Sequence, residues 1–337
     1  MKDLRALFSL AARYQWFRAV AVLSFWASSS NGPAAAQTVQ PVPAMQAQPG
    51  YYRLKMGDVN ITALSDGTVP LDTHPLLLSI TAAQTDKLLA AGYQRNPVEA
   101  SVNAYIIELG SRLVMVDAGT GELLGPTLDR LTTSMRAAGY QSEQFTDILV
   151  THIHSDHTGG LTAGTRRVFP NATLHISQVE ADFWLSEANA QNPAYARLQH
   201  WFAEAHAKVD PYVKAGKVQF FVGDGPLLPG IRTVAAHGHT PGHTFYVLES
   251  QGQKLVFWGD VVHVAAVQFP HPEVTVTFDV DPQLAATVRQ QAFADAARHG
   301  YWVALDHVSF PGIGHVRAAV AGYEWQPLNY STLATDQ

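Results

Sequence analysis

The sequence predicts an α/β fold, with one globular domain that begins near Tyr51. Three observations lead to this prediction. Short apolar runs have the length of buried strands, and they lie at 104–109, 113–116, 148–150, 255–258 and 303–305. Longer helical stretches, 124–138 and 284–297, lie between them, and Asp281-Pro282 is a start signal for the second. Finally, several of the apolar runs end directly in histidine and aspartate.

The first 36 residues have a different character. Four basic residues between positions 2 and 18 precede a short apolar stretch, 19–26, and an Ala34-Ala35-Ala36 sequence follows. This order is typical of a secretory signal peptide cut before Gln37, and it predicts a periplasmic or secreted protein. The alternative is an amphipathic helix. The apolar stretch is too short for a stable membrane anchor. Residues 37–50 contain three prolines and are expected to form a flexible leader.

Composition limits the functions to consider. The 337 residues carry a net charge of −6, and the basic residues are scattered, which argues against nucleic-acid binding. The chain contains no cysteine, so disulfides, thiolate metal sites and cysteine nucleophiles are excluded. Any bound metal must therefore be held by histidine and carboxylate.

The strongest motif is THIHSDHTGG, residues 151–160, which follows the apolar run at 148–150. It places His152, His154, Asp156 and His157 within six positions. Alternate residues at a strand end point the same way, so His152 and His154 are expected on one side. The glycines at 159 and 160 allow the tight turn that brings the other two near. Imidazole and carboxylate suit zinc and other first-row divalent ions, so this segment predicts a metal site.

Three further elements complete the pattern. HGHTPGHT, residues 237–244, follows another apolar run, and its spacing leaves His237, His239 and His243 open as ligands. In WGD, residues 258–260, a strand ends at Asp260, whose two oxygens suit a bridge between ions about 3.5–4 Å apart. ALDHVSFPGIGH, residues 304–315, offers His307 and His315. The stretches 111–119 and 253–260 also resemble each other, as two related halves would.

These four elements, in this order, resemble the metallo-β-lactamase superfamily, and the resemblance extends over residues 51–337. It implies a single-domain αββα sandwich, in which two mixed β-sheets are flanked by helices. Within the superfamily the chain looks most similar to the methyl parathion hydrolase group. That similarity lies in GYYRL, ITALSDGTV, GPTLDRL, DPYVKAGK, HGHTPGHT, AAVQF and SFPGIGH.

The resemblance implies a role for each ligand. One ion would be bound by His152, His154 and His239, and the other by Asp156, His157 and His307. Asp260 would bridge two divalent ions, with zinc expected first and manganese, cobalt or iron as alternatives. His243 is expected to orient its loop.

The expected chemistry is hydrolysis by a hydroxide that bridges the two metals. Asp156 and Asp260 are the candidate proton acceptors. The resemblance implies an aromatic pocket, and the candidate lining residues are Trp184, Trp201, Phe202, His263, Phe278 and Leu124, with a core role as the alternative for each aromatic. Leu124, His263 and the segment 72–80 depart from the organophosphate-cleaving relatives, which weakens the expectation of efficient phosphotriester cleavage.

Together these features predict a hydrolase of lactones or aryl esters, with phosphotriesters as companion substrates. A dedicated methyl-parathion-type organophosphate hydrolase is the alternative enzyme. A periplasmic metal-binding protein is the non-enzymatic alternative, and a single-iron redox protein is a further one. Open coordination positions favour catalysis. The expected partners are small-molecule substrates and, from the resemblance alone, a second copy in a homodimer.

Overall fold

A computed structural model describes residues 48–332 of the chain, and the first strand begins at Tyr51. The predicted signal peptide, and the leader up to residue 47, lie outside the described residues. The strands are β1 Tyr51–Met56, β2 Val59–Leu71, β3 Leu77–Leu78, β4 Val98–Leu109, β5 Arg112–Val116, β6 Asp147–Leu149, β7 Thr162–Ala163, β8 Arg166–Arg167, β9 Thr173–Ser177, β10 Val218–Phe221, β11 Gly225–Leu228, β12 Ile231–Ala235, β13 Thr244–Ser250, β14 Gln253–Phe257, β15 Thr275–Val276, β16 Trp302–Ala304, β17 Ile313–Ala318 and β18 Tyr323–Pro327.

The α-helices connect these strands on the outside of the sheets. They are α1 Thr73–Leu76, α2 Ala82–Ala91, α3 Leu131–Ala137, α4 Ser155–Thr158, α5 Gln178–Trp184, α6 Glu187–Ala190, α7 Gln199–Lys214, α8 Ala265–Gln268 and α9 Pro282–His299. Short 3₁₀ turns cover Gly121–Leu123, Ser142–Gln144, Gly159–Leu161 and Pro193–Leu198. Among the described residues, no helix is long and apolar enough to cross a bilayer.

Two seven-stranded mixed sheets form the centre of the fold. Their strand orders are β1-β2-β4-β5-β6-β9-β10 and β11-β12-β13-β14-β16-β17-β18. The strands β5, β6, β9 and β10 run parallel, as do β14 and β16, whereas the other neighbouring strands in the two sheets are antiparallel. Strand β4 is buried over eight consecutive residues, 100–107, and the apolar run that predicted this strand begins within that buried stretch.

Three apolar layers hold the sheets and helices together. Between the sheets, Ile61, Tyr105 and Val114 of the first meet Leu248 and Phe257 of the second. The outer face of the first sheet is covered by α3, α5 and α7, and the outer face of the second is covered by α9. The predicted αββα sandwich is therefore confirmed.

One predicted helix is shorter than expected. The stretch 124–138 was predicted to be helical throughout, but the helix covers only Leu131–Ala137. Gly125 and Asp129 both adopt positive φ, at 100° and 61°, and Pro126 lies between them, so the first half forms a loop. By contrast, the second predicted helix extends over Pro282–His299. Asp281 caps its start through Leu284 N, and Gly300 ends it in the left-handed region.

Candidate metal centre

The first group of predicted ligands occupies the loop that follows β6. His154 lies at the start of the short helix α4, and Asp156 and His157 lie within that helix. The two glycines after it are required for space, because a Cβ on either would lie 2.0 Å from a carbonyl oxygen, that of Thr120 for Gly159 and that of Ala118 for Gly160. Neither glycine has a positive φ. The turn therefore depends on close packing rather than on unusual backbone angles.

The remaining ligands come from the second sheet. His239 follows β12, Asp260 follows β14, and His307 follows β16. Gly259, just before Asp260, has a φ of +53°, and a side chain there would meet His243 Nε2 at 2.7 Å. Because β14 and β16 are neighbouring parallel strands, their carboxyl ends bring Asp260 and His307 to the same edge. This edge faces the loop after β6, and the two sheets together form the site.

Site A consists of His152, His154, His239 and Asp260, whose ligand atoms all lie within 4.8 Å of one another. His152 Nε2 and His239 Nε2 are each 3.1 Å from His154 Nδ1. Asp260 Oδ2 lies 3.3 Å from His239 Nε2 and 3.7 Å from His152 Nε2. Three nitrogens and one carboxylate oxygen thus surround one point, and all four residues are buried.

Site B consists of Asp156, His157, Asp260 and His307, again within 4.8 Å. Asp260 Oδ1 is 3.1 Å from both His157 Nε2 and His307 Nε2. Asp156 Oδ2 is 3.2 Å from His307 Nε2. Asp260 belongs to both sites, and each of its oxygens faces one of them. The structure therefore brings together the seven side chains that the sequence predicted, in the predicted two groups, and their role as ligands stays a prediction.

In four of the five histidines, Nδ1 is already hydrogen-bonded to another protein group, which leaves Nε2 to face the site. The Nδ1–H of His157 donates to Asp117 Oδ2 at 2.9 Å, and that of His239 donates to Asp279 Oδ1 at 2.8 Å. The Nδ1–H of His152 donates to Thr151 Oγ1, and that of His307 donates to the carbonyl of Ser101. Such partners fix the tautomer and the ring orientation that a metal ligand needs.

The other histidines of these motifs, His237, His243 and His315, lie outside the two sites. His243 uses both nitrogens, because Nδ1–H donates to the Ala236 carbonyl and Nε2 accepts from the Asp260 N–H. Burial lowers the pKa of His243 to about 3, which keeps the ring neutral as this arrangement requires. His315 packs on Trp302 and bonds to the Tyr301 carbonyl. His237 belongs to neither cluster.

The carboxylates around the two sites carry negative charge, which favours the binding of cations. Burial would raise the pKa of Asp260, but the surrounding histidines, His157 foremost, hold that pKa well below its ordinary value. Burial would likewise lower the pKa of His239, yet Asp260 and Asp279 raise it to about 9. The pKa of His307 also rises well above its ordinary range because of Asp260 and Asp156. In the absence of metal, the negative charge of these carboxylates therefore favours protonated histidines. Bound divalent ions would neutralise the same negative charge.

The unsatisfied atoms support the same conclusion. Among the described residues, His157 Nε2 and Asp260 Oδ1 make no hydrogen bond, although both are buried. Such atoms are rare in folded proteins and need an explanation. Two divalent ions fit here, because the donors are imidazole nitrogens and carboxylate oxygens and one carboxylate faces both positions.

Comparisons with known proteins agree with this geometry. The family model described as the metallo-beta-lactamase superfamily matches residues 98–297. The chain belongs to the metallo-β-lactamase superfamily. The crystal structure of hydrolase AbOPH, described as in the beta lactamase superfamily, is similar over 85% of this chain and 100% of that one, with 34% identity and a TM-score of 0.81.

Two lactonases are similar to this chain as well. AidC, a dizinc quorum-quenching lactonase solved with the product N-hexanoyl-L-homoserine, shares 25% identity over 84% of this chain and 99% of its own, with a TM-score of 0.78. The N-acyl homoserine lactonase of Bacillus cereus is 25% identical over 38% of this chain. The chain spans only 42% of the length of that curated relative. The expectation that the chain belongs to the metallo-β-lactamase superfamily is confirmed.

Several buried acidic residues around the centre were not predicted. Asp117 accepts hydrogen bonds from Thr151 and His157, Asp279 supports His239, and Asp306 Oδ2 lies 3.1 Å from His157 Nδ1. Burial and the neighbouring Asp117 raise the pKa of Asp306 well above its ordinary value, whereas the proximity of His157 opposes that rise. One sequence signal was available for Asp117, since it ends the strand in 111–119 just as Asp260 ends the one in 253–260.

A cavity of about 310 Å³ opens onto the two sites. Asp156, Asp260 and His307 lie at its floor, and four of the predicted pocket residues line it: Leu124, Trp201, His263 and Phe278. The rest of its wall is mostly aliphatic, from Val69, Leu71, Ala100, Val102 and Leu128. His263 Nε2 is also 3.1 Å from Asp260 Oδ2.

Two predicted pocket residues belong to the core instead. Trp184 and Phe202 are 0% and 1% exposed, and neither lines the cavity. They pack against each other in the layer between the first sheet and its helices, with ring centroids 4.9 Å apart. The prediction that they line the pocket is therefore corrected, because the helices α5 and α7 turn these rings inward and leave Trp201 at the cavity.

Proposed function

We propose that this chain is a binuclear metal-dependent hydrolase of lactones or aryl esters, with two divalent ions, zinc first, at sites A and B. The observation that carries this proposal is the cavity over the two sites. Its walls are aliphatic and aromatic, and none of its described lining residues is lysine or arginine. Such a pocket suits a neutral ester with an apolar group rather than an anionic substrate.

The side chains of the pocket provide binding and orientation. Trp201 and Phe278 pack edge to face, with centroids 6.1 Å apart, and form an aromatic wall for an aryl or acyl group. Aliphatic side chains, including Leu124 and Val102, line much of the rest of the cavity. These walls exclude water from the ester and hold its carbonyl toward the floor, where a fixed position contributes to catalysis.

The acidic residues of the floor have separate tasks in this proposal. Two divalent ions, when bound, supply a Lewis acid and lower the pKa of water toward neutrality. Asp260 is 3% exposed and faces both sites, so it holds them together. The Asp156 side chain is 21% exposed at the cavity, so it is the better placed of the two to accept a proton. The histidines around each carboxylate keep it ionised.

The finer assignments also belong to this proposal. The sequence stretches described above support kinship with the methyl parathion hydrolase group, and the similar lactonases support a lactone as substrate. We place phosphotriester cleavage second, because Leu124 and His263 line the cavity at positions where organophosphate-cleaving relatives are expected to differ. Export to the periplasm or the medium stays a prediction from the N-terminal sequence.

A side-by-side measurement of kcat/KM tests the proposal. Purified protein with its metal content determined is assayed on an aryl lactone, an aryl ester, methyl parathion and an anionic β-lactam, with His152→Ala as the control. We expect two metals per chain, the highest kcat/KM with the lactone or aryl ester, and little turnover of the β-lactam. A clear preference for methyl parathion would replace this proposal with a dedicated triesterase. No turnover of any substrate by the metal-loaded protein would overturn it.

A further inference from the structure

We propose that Glu180 is a positioning residue that assembles site A, by joining the two loops that carry its three histidines. Glu180 lies on α5, outside both clusters, and is 1% exposed. It does not contact either ion position, and its role does not depend on which ester the enzyme hydrolyses.

The Glu180 carboxylate accepts three hydrogen bonds from two distant loops. Oε1 accepts from the backbone N–H of Ile153, at 2.7 Å, and this residue lies between His152 and His154. Oε2 accepts from Thr240 Oγ1 at 2.7 Å and from the backbone N–H of Gly242 at 2.8 Å. Thr240 directly follows His239. A single buried carboxylate therefore bonds next to every histidine of site A.

The packing around Glu180 leaves these loops little freedom. A Cβ on Gly242 would lie 2.2 Å from Glu180 N, so this loop rests directly against the first turn of α5. On the same helix, the Trp184 ring packs edge to face on His154, with centroids 5.3 Å apart. Helix α5 thus holds site A from behind, through one carboxylate and one ring.

Site B depends on other partners. His157 is supported by Asp117 and Asp306, and His307 is supported by the Ser101 carbonyl. None of these groups bonds to Glu180. A change at Glu180 should therefore weaken the binding of one ion and spare the other, whereas a general loss of structure would weaken both.

The substitution Glu180→Gln tests this directly. An amide has one acceptor oxygen, so its NH₂ group must face either the Ile153 N–H or the Gly242 N–H, and one loop loses its bond. We expect zinc affinity at one position to fall about 10- to 100-fold, as for other residues that support a ligand. Metal content after dialysis against a graded zinc buffer should fall from two ions per chain to one. Thr240→Val, which removes one donor, should give a smaller loss of the same kind.

The matched control is Asp66→Asn. Asp66 is a buried carboxylate with the same set of donors, a threonine hydroxyl and two backbone N–H groups, from Thr120 and Leu131. It bonds to both ends of the loop that contributes Leu124 and Leu128 to the cavity wall. It makes no hydrogen bond to the two loops that carry the histidines of site A. The control should lose stability and keep two ions per chain.

Combination with ligand substitutions identifies which ion is lost. Glu180→Gln should add nothing to the metal loss of His239→Ala, because both substitutions act on the ion at site A. Added to His307→Ala, it should leave the chain without bound metal. The proposal is overturned if Glu180→Gln retains both ions at wild-type affinity, if it loses both together, or if Asp66→Asn loses the same single ion.

Discussion

The buried carboxylate of Asp147, at the start of β6, gives a stability prediction with a definite pH dependence. Asp147 is almost fully buried and accepts hydrogen bonds from His175 Nε2 at 2.8 Å, Thr146 Oγ1 at 2.7 Å and Arg112 Nη1 at 2.8 Å. Burial alone would raise the pKa of Asp147, but these three donors outweigh burial and lower that pKa to about 2. The substitution Asp147→Asn removes the charge and nearly preserves the shape.

The pKa sets both the size and the sign of the effect. The ordinary aspartate pKa is 3.8 and the folded value is about 2. Since each tenfold change in proton affinity corresponds to about 1.4 kcal/mol, the ionised form contributes about 2 kcal/mol to the free energy of unfolding. The folded pKa is the lower one. This contribution is therefore complete above about pH 4 to 5 and disappears as the pH falls toward 2.

Urea denaturation of metal-free protein measures this contribution without interference from the metal sites. The difference in unfolding free energy between wild type and Asp147→Asn should be about 2 kcal/mol near pH 6 and should shrink steadily between pH 4 and pH 2. A difference that stays constant over this range, or that grows in acid, would show that the Asp147 charge does not stabilise the fold in this way.

Three further predictions concern the metal centre and the pocket. Asp117→Asn should lower zinc affinity about 10- to 100-fold at site B, since it loosens His157, and competition with a chelator measures this. Trp201→Ala should raise KM for an aryl ester without changing the metal content, whereas Trp184→Ala should cost about 3–5 kcal/mol in urea denaturation because that ring is fully buried. Removing both metals should lower the Tm, and zinc at 1,000 times the Kd of a site should restore about 4 kcal/mol of stability for each ion that binds.

The fold was largely predictable from the sequence because its central strands are buried on both faces. The strands around 104–109 and 255–258 were recognised from short apolar runs, which need no knowledge of distant contacts. The helix at 124–138 was predicted too long, because the residue pattern of the whole stretch favours a helix, whereas Gly125 and Pro126 interrupt its first half. Asp66 also holds both ends of this loop, because it accepts from the Thr120 and Leu131 N–H groups, and the sequence does not show this distant contact.

The grouping of the site residues was predictable for a related reason. Four of the seven side chains lie within six positions of the chain, so local geometry already places them together. The pocket was less predictable. Trp184 and Trp201 are both aromatic residues near helix ends, and only the packing of α5 and α7 on the first sheet decides that one is buried and the other lines the cavity.

The choice between His239 and His243 shows what the sequence lacked. Both histidines lie in one short loop, both are buried, and both point toward Asp260. They differ in the partner of the far nitrogen. Asp279, forty residues away, accepts a hydrogen bond from His239 Nδ1–H, so His239 Nε2 is directed at site A. In His243, by contrast, Nε2 already accepts a hydrogen bond from the Asp260 N–H. A ligating histidine needs one nitrogen free for the metal, and a partner on the other nitrogen fixes the ring; at His239 that partner, Asp279, is brought near only by the folded chain.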